Sequence, residues 1–308
     1  MPHHPTHCCQ RLACVLTSAL LVIAPTALAQ DKPTTKTKGA TPPPAAPAAT
    51  PAATPAAAPA AANAPTAASI FAKAVTAAGG ADLIRSQKSQ TLKGTLEMPG
   101  QGLKGTIVTR SNDPNQLLIE TEIPGFGKIL QGVQGTTGWS IDPLRGPSLM
   151  DKDELARTIR DLAIDQLIDP SKGCDSVSVD GEATFASTKC WKVTLQCDGI
   201  RSTRYYAQDS GHMVGQATTM KSALGEFEVT TTFSDFGTFD GRTIPKVTKN
   251  AMMGQEQVMT IAEASFAPID ANTFALPAEI KALTQGATGA TTSKPKDAKP
   301  KDGKPSTP

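Results

Sequence analysis

From about residue 91 to residue 266 the chain is written almost entirely in short runs with a period of two, each closed by a turn signal. Leu92, Gly94, Leu96 and Met98 alternate with Thr91, Lys93, Thr95 and Glu97, the spacing of a strand with one face inward. Pro99-Gly100-Gln101-Gly102 turns the chain, residues 103–110 return, and Asn112-Asp113-Pro114-Asn115 turns it again. Further runs follow at 117–123, 129–133, 138–141, 176–182, 189–197, 203–207, 213–220, 226–233, 242–249 and 255–266. Strands this numerous and adjacent, with almost no crossover helices, predict a mainly β domain built on one antiparallel sheet. Closing or half-closing such a sheet removes exposed edges.

Two helices belong to this pattern. Residues 67–78 place Ile70, Phe71 and Val75 at helical spacing, and Gly79-Gly80 stops them. Asp151-Lys152-Asp153-Glu154 opens the second with an acidic turn, favourable at the positive end of a helix dipole. Its apolar face is Leu155, Ile159, Leu162 and Ala163, with Arg157, Arg160 and Asp161 elsewhere. A lone helix inside a meander must lay that face on the sheet, and here it can lie across an open barrel mouth.

The ends read differently. Residues 1–29 are a secretory signal: Arg11 precedes an apolar run over 12–24, and Ala27-Leu28-Ala29 offers a small-x-small cleavage site before Gln30. The competing reading is an uncleaved anchor, but the run is shorter than the roughly 20 residues that span a bilayer. Cys8, Cys9 and Cys14 lie at the start of the apolar run, not at its far end, so the sequence does not read as a lipoprotein. Residues 30–66 are mostly Thr, Lys, Pro and Ala with no aromatic residue, a composition that cannot offset its ordering entropy and reads as a disordered linker. Residues 284–308 read as a second disordered tail with five lysines and two aspartates. The globular part is therefore 67–283.

The net charge of +2 comes from these ends. Residues 1–67 carry +3 and the tail +3, which leaves the globular part at −4. It is not a basic domain, and the sequence predicts no nucleic-acid partner.

Catalytic motifs are absent from the sequence. Past residue 29 there is one histidine, His212, and no Gly-rich phosphate loop, His-Glu-x-x-His or Cys-x-x-Cys. Asp235, Asp240 and Asp270 read as turn and strand-end residues. The expectation is a non-enzyme without metal or cofactor.

Three cysteines follow the signal: Cys174, Cys190 and Cys197. A hairpin turning at Ala186-Ser187 places Ser176 opposite Cys197, so Cys174 lies diagonally across from Cys197 and makes the disulfide candidate. Cys190 then faces the other way as a small buried residue. Three free buried thiols is the alternative.

The most specific stretch ends the folded part. Phe233-Ser234-Asp235-Phe236-Gly237-Thr238-Phe239-Asp240-Gly241-Arg242-Thr243-Ile244-Pro245 reads as strand, Asp-Gly turn, and a strand with an edge proline. Pro268-Ile269-Asp270-Ala271-Asn272-Thr273-Phe274-Ala275-Leu276-Pro277 closes it with a turn anchored by one phenylalanine. Together with Thr95-Leu96-Glu97-Met98-Pro99-Gly100, with residues 135–143 around Trp139, and with the hairpins at 189–193 and 205–214, this stretch resembles the outer-membrane lipoprotein-sorting (LolA/LolB-like) family of periplasmic proteins. Two departures stand out: Ala207 where that family commonly has Asp, and His212 where it has an aliphatic residue.

The resemblance implies a curved, half-open antiparallel β-barrel with an N-terminal helix and a covering helix, in a periplasmic or secreted protein. It implies a cavity for a lipoprotein acyl chain or other lipid, with Leu96, Met98, Trp139, Leu155, Ile159, Leu162, Trp191, Val193 and Leu195 as candidate lining. A carrier also needs a basic residue that gates the lid, for which Arg157 and Arg160 are the helix candidates. The other reading of the same residues is a filled core, in a cell-envelope interaction domain with a protein partner and no ligand.

Overall fold

The computed structural model describes residues 65–222 and 225–289. The signal peptide and the linker up to residue 64 lie outside them, as does the tail beyond 289. Two short helices, α1 (Ala67–Ala77) and α2 (Ala81–Ser86), lead into the first six strands. These are β1 (Ser89–Met98), β2 (Leu103–Asn112), β3 (Gln116–Ile123), β4 (Gly127–Gln134), β5 (Thr137–Asp142) and β6 (Gly146–Leu149). Then come α3 (Lys152–Leu162) and α4 (Asp165–Ile168). Seven strands follow: β7 (Ser176–Phe185), β8 (Thr188–Cys197), β9 (Ile200–Ala207), β10 (Met213–Ser222), β11 (Gly225–Phe239), β12 (Arg242–Met252) and β13 (Gln255–Ser265). The helix α5 (Ala278–Gly289) ends the described chain.

All 13 strands form one antiparallel sheet in the order β6-β5-β4-β3-β2-β1-β13-β12-β11-β10-β9-β8-β7. It is two meanders joined back to back by the pairing of β1 with β13. Strands β6 and β7 are its unpaired edges, so the sheet is a half-open barrel and not a closed one. That order fixes the path of α3 and α4. The chain leaves one edge at β6 and must re-enter at the opposite edge, β7, so residues 150–175 bridge the two edges.

The two helices read from the sequence, α1 and α3, each start with a side-chain cap. Thr66 accepts a hydrogen bond from the Ser69 amide at 3.2 Å, and Asp151 accepts one from Glu154 at 2.7 Å. The hairpin between β11 and β12 closes on Asp240 and Gly241, both at positive φ (48° and 79°), with Phe239 opposite Arg242. This is the type I′ geometry that the Asp-Gly pair favours.

Four details differ from the sequence reading, each for a local reason. Pro245 lies in a strand that is internal to the sheet, but β12 pairs with β13 only from Val247 to Met252. Its missing N–H therefore falls on an unpaired stretch, so the edge is local to the proline and does not belong to the whole strand. The helix α5 starts directly after the closing segment and runs six residues past Leu283, because Ile280 is fully buried and α5 packs on β6. It covers one of the two open edges.

The third difference is one of register. The β7–β8 hairpin does turn at Ala186-Ser187, with Phe185 opposite Thr188, but the pairing shifts by one residue between Val179 and Gly181. Ser176 therefore faces Gln196, not Cys197. The bulged Asp180 is stabilised in place: its carboxylate accepts from Ser178 at 2.8 Å and Thr194 at 2.7 Å. Cys174 and Cys197 are disulfide-linked with their Cα atoms 4.1 Å apart, and Cys190 is buried and free. The link closes 23 residues of chain. Replacing both cysteines by alanine is expected to lower stability by about 3 kcal/mol in the chain-entropy model, read from the urea midpoint at unchanged m-value.

The fourth concerns His212. Its ring stacks on Phe236 with centroids 4.3 Å apart and planes 8° from parallel, so it does the packing work of an apolar residue. Burial disfavours the imidazolium and pushes the pKa below the ordinary 6.5, more than the nearby Asp209 carboxylate raises it. The unfolded chain therefore binds the proton more readily than the folded one. This contribution to stability is complete above about pH 6.5 and is lost as pH falls through the lower folded value. The midpoint of urea unfolding is expected to drop between pH 7.5 and 5.5, and a His212→Phe variant to drop less. Equal drops would remove His212 from the account.

Candidate functional site

The interior divides into separate apolar clusters. One is built on β1–β4, β12, β13 and α3 and contains Leu96, Met98 and Leu162, with Leu155 and Ile159 packed against it. A second is built on α1 and β8–β11 and contains Val193 and Leu195, with Trp191 packed against it. Trp139 is buried with its ring over Gly132, where a Cβ would stand 2.6 Å from it. Eight of the nine candidate lining residues thus fall in two apolar clusters, and Trp139 is buried beside Gly132.

A cavity lined by other residues lies beside α3. It opens between α3 and the sheet with a volume of about 630 Å³, walled on one side by Asp153, Ala156, Arg157 and Arg160. The opposite wall is the β8–β9 turn (Asp198, Gly199 and Ile200) with Thr219 and Met220 of β10. Helical geometry explains why the three candidates on α3 do not line it. At 100° per residue, positions 153, 156, 157 and 160 share one face of α3, and 155, 159 and 162 share the opposite face. The apolar face anchors the helix, which leaves the charged face to line the cavity. Sequence reasoning missed Asp153, Ala156 and the β8–β9 turn because a cavity wall needs no periodicity of its own.

The two helix arginines flagged by the resemblance do line this space. Arg160 reaches across it to the carboxylate of Asp198 in the β8–β9 turn, and also lies 3.8 Å from Asp161. The Arg160 side chain is 16% exposed and that of Asp198 66%. The pair is a clasp between helix and turn whose partner is wet, so its energetic contribution is small and salt-dependent.

The sheet beneath carries polar groups where a core would be apolar. By register Arg204 of β9 sits beside Gln216 of β10, Gln216 beside Thr231 of β11, and Thr231 beside Asn250 of β12. All four are buried, at 3%, 2%, 0% and 3% exposure. Thr231 donates to Asn250 at 2.8 Å. The row crosses four adjacent strands, β9 to β12, alongside the second apolar cluster. Among the described residues no group of three His, Cys, Asp or Glu side chains is placed to hold a metal ion.

No protein-family model and no curated protein matches this chain. Solved structures do. A LolA-superfamily protein from Nitrosomonas europaea is similar at 13% identity and a TM-score of 0.48, over 69% of this chain and 99% of that one. A DUF1329 family protein from Desulfovibrio piger is similar at 14% identity and a TM-score of 0.49, over 68% of this chain and 98% of that one.

Proposed function

We propose that this is a non-catalytic protein of the cell envelope, exported by its N-terminal signal, that holds a lipoprotein acyl chain or other apolar ligand between its sheet and α3. Residues 30–66 serve it as a tether. The observation that carries this reading is the cavity of about 630 Å³ beneath a helix that the topology forces across the sheet. Its volume is that of an ordinary small-molecule site, and Ala156, Ile200 and Met220 give it apolar wall.

A second reading has its own support. Eight of the nine candidate residues pack into apolar clusters, as they would in an envelope interaction domain that binds a protein and no lipid. The two readings separate on one position. Ala156 faces the cavity and not the core, so Ala156→Trp fills the space while leaving the clusters intact. A fluorescent acyl probe is expected to bind the wild-type protein at micromolar concentration and to lose roughly tenfold or more in affinity to the variant, at unchanged melting temperature. Absence of probe binding to the wild type would leave the interaction domain standing.

A further inference from the structure

Arg204 is 3% exposed, yet its Nε and Nη1 atoms have no hydrogen-bond partner. A guanidinium taken out of water is costly unless a carboxylate or phosphate shares its site, which is why buried arginines are paired. None of the side chains next to Arg204 in the sheet supplies that partner. Across the strands it faces Val193 and Gln216. Along β9 its same-face neighbours are Ser202 and Tyr206. Every one of them is neutral.

The cavity opens on the same two strands, four residues along β9 from Arg204. Ile200 and Met220, which line it, are on the inner face of β9 and β10. The next inward-facing pair is Ser202 with Thr218, and the one after that is Arg204 with Gln216. At about 3.3 Å per residue, Arg204 lies some 13 Å deeper along the same face. Along this face the strands present first the apolar Ile200 and Met220, then the hydroxyls of Ser202 and Thr218, then the buried Arg204.

We infer that Arg204 is the interior anchor for an anionic oxygen group, a carboxylate or a phosphate, at the head of an amphiphilic ligand. The inference rests on the apolar-ligand reading of the same cleft, and narrows it from any acyl chain to one with an acidic head inward. A guanidinium offers two parallel N–H donors to either group, and it does so most strongly where water is excluded.

The test compares three probes that share one chain: oleate, oleyl alcohol and oleoyl lysophosphatidate. Each is titrated, below its micelle-forming concentration and at mildly alkaline pH, into the full-length protein and into Arg204→Met and Arg204→Lys. The wild type is expected to bind at least one acidic probe roughly tenfold or more tighter than the alcohol, the gain of a charge-assisted hydrogen bond. The preferred acid tells carboxylate from phosphate. Arg204→Met is expected to reduce the acids to the affinity of the alcohol without weakening the alcohol, and Arg204→Lys to keep part of the preference.

Equal affinities for all three probes in the wild type would overturn the anchor and leave the apolar site intact. A preference for acid that survives Arg204→Met would overturn the assignment to this residue. Failure of every probe, the alcohol included, would overturn the apolar-ligand reading itself. Should Arg204→Met not fold, the wild-type comparison and Arg204→Lys still decide: a folded lysine variant that keeps only part of the acid preference supports the anchor, and a wild type without preference, or a lysine variant with the preference undiminished, refutes it.

Discussion

Replacing Gly94 by valine is expected to cost the domain about 4 kcal/mol or more, among the largest losses any single residue here can produce. Gly94 lies in β1 where that strand pairs with β13, the one seam that joins the two meanders. The register shifts between Lys93 and Gly94, and the bulge brings the backbones together. A Cβ at this position would stand 2.0 Å from the Thr260 carbonyl oxygen and 2.9 Å from its carbon. Those atoms belong to the neighbouring strand and not to the end of a flexible side chain, so the strand itself must move. Even alanine meets this contact; valine adds two methyl groups to it. Because β1 and β13 carry Leu92, Leu96, Met259 and Ile261 of the first cluster, displacing them loosens the core as well as the ladder. Equilibrium unfolding in urea is the measurement. A variant within about 1 kcal/mol of wild type would show that the seam tolerates a shift.

Leu162→Asp is expected to be comparably damaging, and it tests whether α3 is anchored or free to lift. Leu162 is 1% exposed within the first cluster, and Leu155 and Ile159 pack beside it. Gly138 of β5 lies so close beneath the helix that a Cβ there would meet Leu155 at 2.9 Å and Met150 at 2.6 Å. An aspartate at this depth has no cation to pair with in its apolar cluster. It either buries a charge or takes up a proton, at a cost of several kcal/mol. If α3 were a loose cover, the helix would swing out and the sheet would melt at its usual temperature. The packing predicts instead that the whole domain loses stability together. Arg157→Glu, on the opposite, cavity-lining face, is the control and is expected to change the melting temperature little.

The same helix shows how far sequence reading reaches. Its limits, its acidic N-terminus and its apolar stripe are local properties, set by spacing within eleven residues and by the capping carboxylate of Asp151. The strands are as legible, because a period of two survives in any sheet with a buried face. Turns that require positive φ, such as Asp240-Gly241, announce themselves by residue type. What a stripe cannot say is which object it meets. The face at Leu155, Ile159 and Leu162 reads equally well as lid or anchor, and only its contact with the β1–β4 cluster made it an anchor.

The sequence by itself determined the class of fold, the positions of α1 and α3, the hairpin turns and the closeness of Cys174 to Cys197. Each of these depends on interactions between residues near in the chain, or on the side-chain alternation of one strand. Tertiary structure alone decided the pairing of β1 with β13, the bulge at Asp180 that shifts a register by one, and the cavity on the charged side of α3. It also brought Arg204, Gln216, Thr231 and Asn250 into one buried row from four different strands. Such a row depends on register across strands, and register is fixed by the balance of turns, bulges and buried faces over the whole sheet. No single strand contains that balance, so no single strand could display the row.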